Sequence, residues 1–213
     1  MQEENIKIFN LKNLEEVKKN LTKNGFKSEV FEDIETAKQY LLKTIGTNKT
    51  IGVGGSQTIK TLGIIEELKE KNNQIITHTP EMDPQTRIQI WQKAQHADFY
   101  LASPQAVTLN GELVFLDAYG NRASCCIFGP KKVILICGYN KITKDLETAI
   151  WRTRNIAAVI NNIRLKKQNP CITTNKCQNC NSETRICNAL VILYKRPSYT
   201  DYEIILLNQS LGY

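Results

Sequence analysis

The stretch Thr50-Ile51-Gly52-Val53-Gly54-Gly55-Ser56-Gln57-Thr58 decides how the chain is read. Its first residues are a short apolar run, Gly54-Gly55 stops that run, and a helix opens at about Ser56, so the order is strand, glycine turn, helix. The unpaired N–H groups of a helix N-terminus carry the positive end of its dipole, and a turn without side chains lets an anion come close to them. Ser56 and Thr58 add hydroxyls. The spacing is neither G-x-G-x-x-G nor a lysine-bearing Walker A loop. The glycines could also serve only a tight turn capped by Ser56. Because ligands collect at the carboxyl ends of strands in open α/β sheets, Gly52, Gly54, Gly55, Ser56 and Thr58 are taken as candidate ligand contacts.

On the N-terminal side, Leu11, Leu14, Val17 and Leu21 recur at intervals of three and four, which predicts a helix ended by Gly25. Phe26 to Phe31 reads as a strand, and Asp33 caps a second helix carrying Ile34, Ala37, Leu41 and Leu42. On the C-terminal side a helix from Leu62 to Lys71, a strand from Gln74 to Thr77, a helix from Asp83 to about Gln95 and a strand from Asp98 to Ala102 continue the alternation. Short strands alternating with helices favour parallel pairing in a doubly wound sheet. Beyond Ser103, Val107 to Leu109, Leu113 to Leu116 and Ser124 to Phe128 read as hairpin strands separated by Asn110-Gly111 and Tyr119-Gly120-Asn121. Asn121 and Arg122 then lie at a hairpin tip within reach of an anion. Lys132 to Cys137 reads as a strand buried on both faces, Asp145 to Val159 as a long helix, and the regions near Ala189 to Tyr194 and Glu203 to Leu207 as closing strands.

The 213 residues are read as one domain, 1–213, with residues 1–48 as an N-terminal helical extension and 170–188 as a cysteine-rich loop. No stretch approaches the roughly 18 apolar residues of a membrane span, and the acidic start Met1-Gln2-Glu3-Glu4 lacks a signal-peptide core, so a cytoplasmic location is expected. The net charge of +7 is spread along helical segments that alternate with acids, and no aromatic-and-basic stripe of the RNA-binding kind is evident. A small anionic partner suits this charge better than nucleic acid.

Seven cysteines without an export signal argue for thiols or metal ligands rather than a disulfide framework. Cys171, Cys177, Cys180 and Cys187 follow C-x5-C-x2-C-x6-C within one loop, where a Cys-x-x-Cys pair with two flanking thiols can close a four-sulfur cage. A single such pair, where zinc ribbons present two, tilts the expectation toward a 4Fe-4S cluster over structural zinc. Cys125, Cys126 and Cys137 read as core residues in apolar strands. His78 and His96 are read as structural, and no Ser/His/Asp or Cys/His arrangement can be assembled from spacing, so no catalytic residue is assigned.

Gly52 to Thr58 with Leu62-Gly63, Ser103 to Thr108, Asp117 to Arg122, Phe128 to Val133, Asn140-Lys141-Ile142, Arg154 to Ala158 and the loop ending Arg185-Ile186-Cys187-Asn188 together resemble the lactate-utilisation (LUD) domain family across nearly the whole chain. The resemblance implies the fold type of glucosamine-6-phosphate isomerase, ribose-5-phosphate isomerase and the coenzyme A transferases: a mainly parallel, doubly wound sheet, here with an inserted hairpin region and the cysteine loop. It further implies a link to oxidation of L-lactate to pyruvate beside iron–sulfur partner subunits, with self-association a further expectation. Two positions depart from the family pattern: Leu109 stands where an acid is common, and Gln105 replaces an Asn. A sugar-phosphate isomerase or acyl transferase, and a non-catalytic subunit of a lactate-oxidising complex, are the alternatives.

Overall fold

The computed structural model describes residues 2–213. Its first half runs through α1 (Gln2–Lys23), β1 (Lys27–Phe31), α2 (Ile34–Ile45), β2 (Thr50–Val53), α3 (Gln57–Leu62), α4 (Ile65–Glu70), β3 (Gln74–Ile76), α5 (Pro84–Ala94) and β4 (Phe99–Ala102). The second half continues with β5 (Ala106–Thr108), β6 (Leu113–Asp117), α6 (Asn121–Ile127), β7 (Lys132–Gly138), β8 (Ile142–Thr143), α7 (Leu146–Arg152), α8 (Ala158–Arg164), α9 (Cys171–Thr174), β9 (Ala189–Leu193) and β10 (Asp201–Leu207).

Six strands form one wholly parallel sheet in the order β1-β10-β7-β4-β2-β3. Parallel strands must be covered on both faces, and β7 shows how the sequence meets that demand. Val133, Leu135 and Cys137 point into a core shared with Leu14, Val17 and Leu21 of α1 and with Cys125 and Cys126 of α6. The alternate residues Ile134 and Ile136 join Ala37, Leu41 and Ile45 of α2 with Ile59, Leu62 and Leu68 on the other face. Residues 1–48, expected as a helical extension, thus place one helix on each face, and β1 is the edge strand beside β10. No helix of the described residues is long and apolar enough to cross a membrane.

A second sheet of four strands, β8-β5-β6-β9, carries the expected β5–β6 hairpin, with Val107 opposite Leu113. β9 lies antiparallel to β6 and β8 parallel to β5.

Three local expectations are corrected. Ser124 to Ile127 is not a strand but the latter part of α6, with Phe128 its extended C-cap, so Asn121 and Arg122 open a helix instead of tipping a hairpin, and Cys125 and Cys126 are buried on that helix. A short apolar run has no period of its own to separate the two states. What selects the helix is the turn before it: Oδ2 of Asp117, six residues back, accepts the Ala123 N–H at 2.7 Å, and Gly120 takes a left-handed conformation at φ 77°. The helix expected over Leu62–Lys71 is divided, since Gly63 (φ 71°) closes α3 before α4 begins. The long helix is continuous in direction but contains a π-helical segment, Thr153–Ala157, between α7 and α8. Such a wide turn shifts the register of the side chains that follow it.

Candidate functional site

The loops at the carboxyl ends of β2, β4 and β7 meet in a small cleft of about 60 Å³. Residues 55–58 form one wall, Ser103 to Gln105 the next, and Lys141 lies at the base, with Ala157, Ala158 and Asn161 from the π segment and α8 opposite. Ile186 of the cysteine loop and Tyr213 complete the lining.

Lys141 dominates the electrostatics. It is 3 % exposed, and its Nζ donates to Thr58 Oγ1 and to Ser103 Oγ, each at 2.8 Å. Among the described residues no carboxylate pairs with it. Its cationic neighbours are Arg152, which donates to the carbonyls of Asn140 and Gln105, and Arg122. Burial, aided by those two guanidiniums, pushes the Lys141 ammonium down from 10.5 to about 8. Burying a charge without a partner is expensive. Elsewhere the fold avoids that expense: Glu203, fully buried near the opposite end of the sheet, lies between Lys27 at 2.8 Å and Lys132 at 2.7 Å. Arg122 also has its own carboxylate, since Nε and Nη2 both donate to Asp117 Oδ1, while Nη1 and Nη2 reach the carbonyls of Ser103 and Leu116. The cleft is therefore cationic, and no Asp or Glu lines it.

The candidates from the glycine turn divide. Gly52 is a strand residue whose hydrogen occupies a slot: a Cβ there would lie 2.7 Å from the Tyr100 ring and 3.1 Å from Ala94 Cβ. Gly54 is buried under the Tyr100 hydroxyl, 3.0 Å from a hypothetical Cβ. Gly55 is exposed at the lip, Thr58 touches Lys141, and Ser56 uses its Oγ to cap α3 by accepting from Ile59 N at 3.3 Å. Asn121 faces a wider groove continuous with the cleft, and Arg122 belongs to both. Ser103, Gln105, Lys141 and Arg152 are the residues that the turn alone did not announce. Ser103 and Lys141 follow the carboxyl ends of β4 and β7, and that position was the available signal. Gln105, at the position where the family has Asn, bridges the Leu116 backbone, donating to its carbonyl at 3.0 Å and accepting from its N–H at 3.1 Å. Leu109 packs against the core outside the cleft.

All seven cysteines are free thiols. The four loop cysteines are held on one side of α8. Asn169 ties the loop to Asn162 and to Thr184, Cys177 N donates to Asn155 Oδ1 at 3.0 Å, and Arg154 Nη2 donates to Cys177 Sγ at 3.4 Å. Asn179 N also points at Cys177 Sγ, at 3.5 Å. Hydrogen bonds from Ser182 hold the Cys180 thiol below its ordinary range, whereas burial raises Cys171 and Cys187. The donor chemistry suits a soft metal. The sulfurs are not closed into a cage, for among the described residues no group of three or more Cys, His, Asp or Glu side chains is placed to hold a metal ion.

Fold and site define an α/β protein with a cationic cleft, lined by no Asp or Glu side chain, at the carboxyl end of a parallel sheet. The chain belongs to the LUD domain family, whose model matches residues 14–207, a family associated in general with lactate utilisation. The architecture is similar to that of a DUF162 family protein from Deinococcus radiodurans, with a TM-score of 0.56 and 11 % identity over 93 % of this chain and 98 % of that one. More limited likenesses extend to eIF2B beta and eIF2B delta from Chaetomium thermophilum. Their TM-scores are 0.39 and 0.35, each at 12 % identity, over 54 % and 51 % of this chain and 44 % and 48 % of theirs. No curated protein matches the sequence.

Proposed function

We propose that the chain is a cytoplasmic lactate-utilisation protein that binds a small anionic metabolite, a hydroxy- or oxo-carboxylate of the lactate and pyruvate class, on Lys141. The observation that carries this is the buried ammonium without a carboxylate partner among the described residues, opening on a cleft lined by no Asp or Glu side chain. An incoming carboxylate supplies the missing countercharge, and Thr58 and Ser103 hold Nζ in place for it. With its acidity shifted to about 8, Lys141 can also give or take a proton near neutral pH, which an ordinary lysine does poorly. The oxidation of L-lactate to pyruvate removes two electrons, and the lining of this cleft holds no group that accepts them.

For that part we propose that Cys171, Cys177, Cys180 and Cys187 hold a 4Fe-4S cluster, with structural zinc as the alternative, and that iron–sulfur partner subunits take part. A cluster would supply one-electron transfer, zinc only rigidity. Support comes from the spacing, the N–H and guanidinium donors on Cys177 and the lowered Cys180 thiol.

Titration of the full chain by calorimetry with L-lactate, pyruvate and a neutral analogue such as lactamide tests the first claim. Saturable binding of the anions, lost in Lys141→Met, is expected, and equal binding of the amide would refute it. Metal analysis of anaerobically purified protein tests the second. Iron with sulfide and a visible absorption band are expected, while a colourless protein with one zinc per chain would overturn electron transfer.

A further inference from the structure

The cleft at Lys141 opens into a wider groove of about 570 Å³, and the two share Gly55, Gln105, Leu116, Arg122, Asn161 and Ile186. A simple two- or three-carbon acid leaves this groove empty. The walls are of another character from the cleft, combining an aromatic shelf with cations.

The shelf is built from three elements. Trp91 of α5 donates its Nε1–H to Nδ1 of His78, just beyond β3, at 3.1 Å, and the two rings meet edge to face at 5.5 Å. Tyr119, from the loop between β6 and α6, lies against Trp91 with centroids 5.2 Å apart and planes 32° from parallel. Tyr119 is 73 % exposed, so one broad aromatic face is presented to the groove over a tryptophan that cannot swing away. Because Nδ1 of His78 accepts, its proton sits on Nε2, and burial together with Arg87 lowers its acidity range further, keeping the ring neutral at pH 7. That Nε2 looks toward the lip of the cleft, where a Cβ on Gly55 would be 3.9 Å away. His78 is thus a fixed neutral donor between the shelf and the cleft.

Around the shelf the groove carries Arg87, Arg164, Lys167 and Arg185 against Glu183, the carboxylate of Asp117 being taken by Arg122. A planar ring fits the aromatic face, where base stacking is sequence-tolerant and strong, and the cations fit a phosphorylated tail. From this juxtaposition we infer that the groove binds a nucleoside phosphate, its base on Tyr119 over Trp91 and its phosphate directed along the cations toward the Lys141 cleft. The inference rests on the anion reading of Lys141 and names a larger ligand class for the same site.

The chain has two tryptophans, Trp91 and Trp151, so Trp151→Phe leaves Trp91 as the sole indole reporter on the full protein. Fluorescence and calorimetric titrations compare ADP, adenosine and inorganic phosphate. ADP is expected to quench Trp91 saturably and to bind at least tenfold more tightly than either adenosine or phosphate. Tyr119→Ala, at an exposed position, is expected to weaken ADP about tenfold and leave phosphate unchanged. Phosphate or pyruvate binding with no advantage for ADP would overturn the nucleotide inference alone. Failure of every anion to bind would overturn the reading of Lys141 beneath it. An oligonucleotide that binds more tightly than ADP would overturn the mononucleotide in favour of a strand.

Discussion

Replacing Lys141 by Met separates a lysine kept for a ligand from one kept for the fold. The difference between 10.5 and about 8 corresponds to a folded-state penalty on the charged form of about 3 kcal/mol. Met fills a similar volume without that penalty, and the two hydroxyls keep other partners, Thr58 donating to Leu211 O at 3.5 Å and Ser103 to Pro104 O at 3.3 Å. Against that gain stand the two lost bonds from the ammonium, each worth about 1.5–3 kcal/mol when the donor is charged, which together match or exceed it. Urea unfolding at pH 7 is therefore expected to place Lys141→Met between equal stability and a loss of about 3 kcal/mol. The pH dependence gives a sharper sign. Between the folded value near 8 and the unfolded value of 10.5 the unfolded chain binds the extra proton, so native stability rises with pH across that window. The contribution is absent from the Met variant, so the difference between the two curves isolates it. Anion affinity should fall at least tenfold in the variant and, in the native chain, about tenfold per pH unit above 8 as the ammonium is lost. A variant that still binds pyruvate normally would refute the reasoning and make Lys141 a structural residue.

Three further outcomes follow from the same geometry. Asp117→Asn leaves the Arg122 guanidinium without its carboxylate and weakens the acceptor of Ala123 N, and should cost about 3–5 kcal/mol in denaturant unfolding, the scale for breaking a buried pair. Gly52→Ala should cost about 1–3 kcal/mol, because Tyr100 is 2 % exposed and cannot yield to the added methyl. Gly55→Ala, whose Cβ would meet nothing closer than His78 at 3.8 Å, should instead leave the melting temperature within a few degrees and alter ligand affinity, as paired thermal melts and titrations would show.

Local chemistry made much of this molecule legible. The caps Asp33, Ser56 and Asp83 are used as their positions in the sequence imply, accepting from Thr36, Ile59 and Thr86. The apolar run at Lys132 lies within the parallel sheet, between β10 and β4. The reading failed for two different reasons. Ser124 to Ile127 is helical because Asp117, six residues before Ala123, accepts its N–H and holds the first turn, a local signal that also reads as a hairpin turn. Lys141 is one of 28 basic residues, and only the convergence of β2, β4 and β7 distinguishes it by burying it. Conversely, Gly52 looked like part of a ligand cradle because a glycine that clears space for a neighbouring ring and one that clears space for an anion are identical on paper.

The contacts that hold Nζ of Lys141 join residues 83 and 38 positions apart in the chain, and the Thr58 hydroxyl reaches across 153 positions to Leu211. Loops of such length close late, since their entropy must be met before their contacts reward it. The ammonium therefore enters its pocket only when the first and last thirds of the chain are already docked. Until then it stays in water with an ordinary affinity for protons. Its proton affinity near pH 8 is thus a built-in chronometer: during refolding, release of a proton at that pH should mark the final assembly step, after helix formation and after the burial of the sheet.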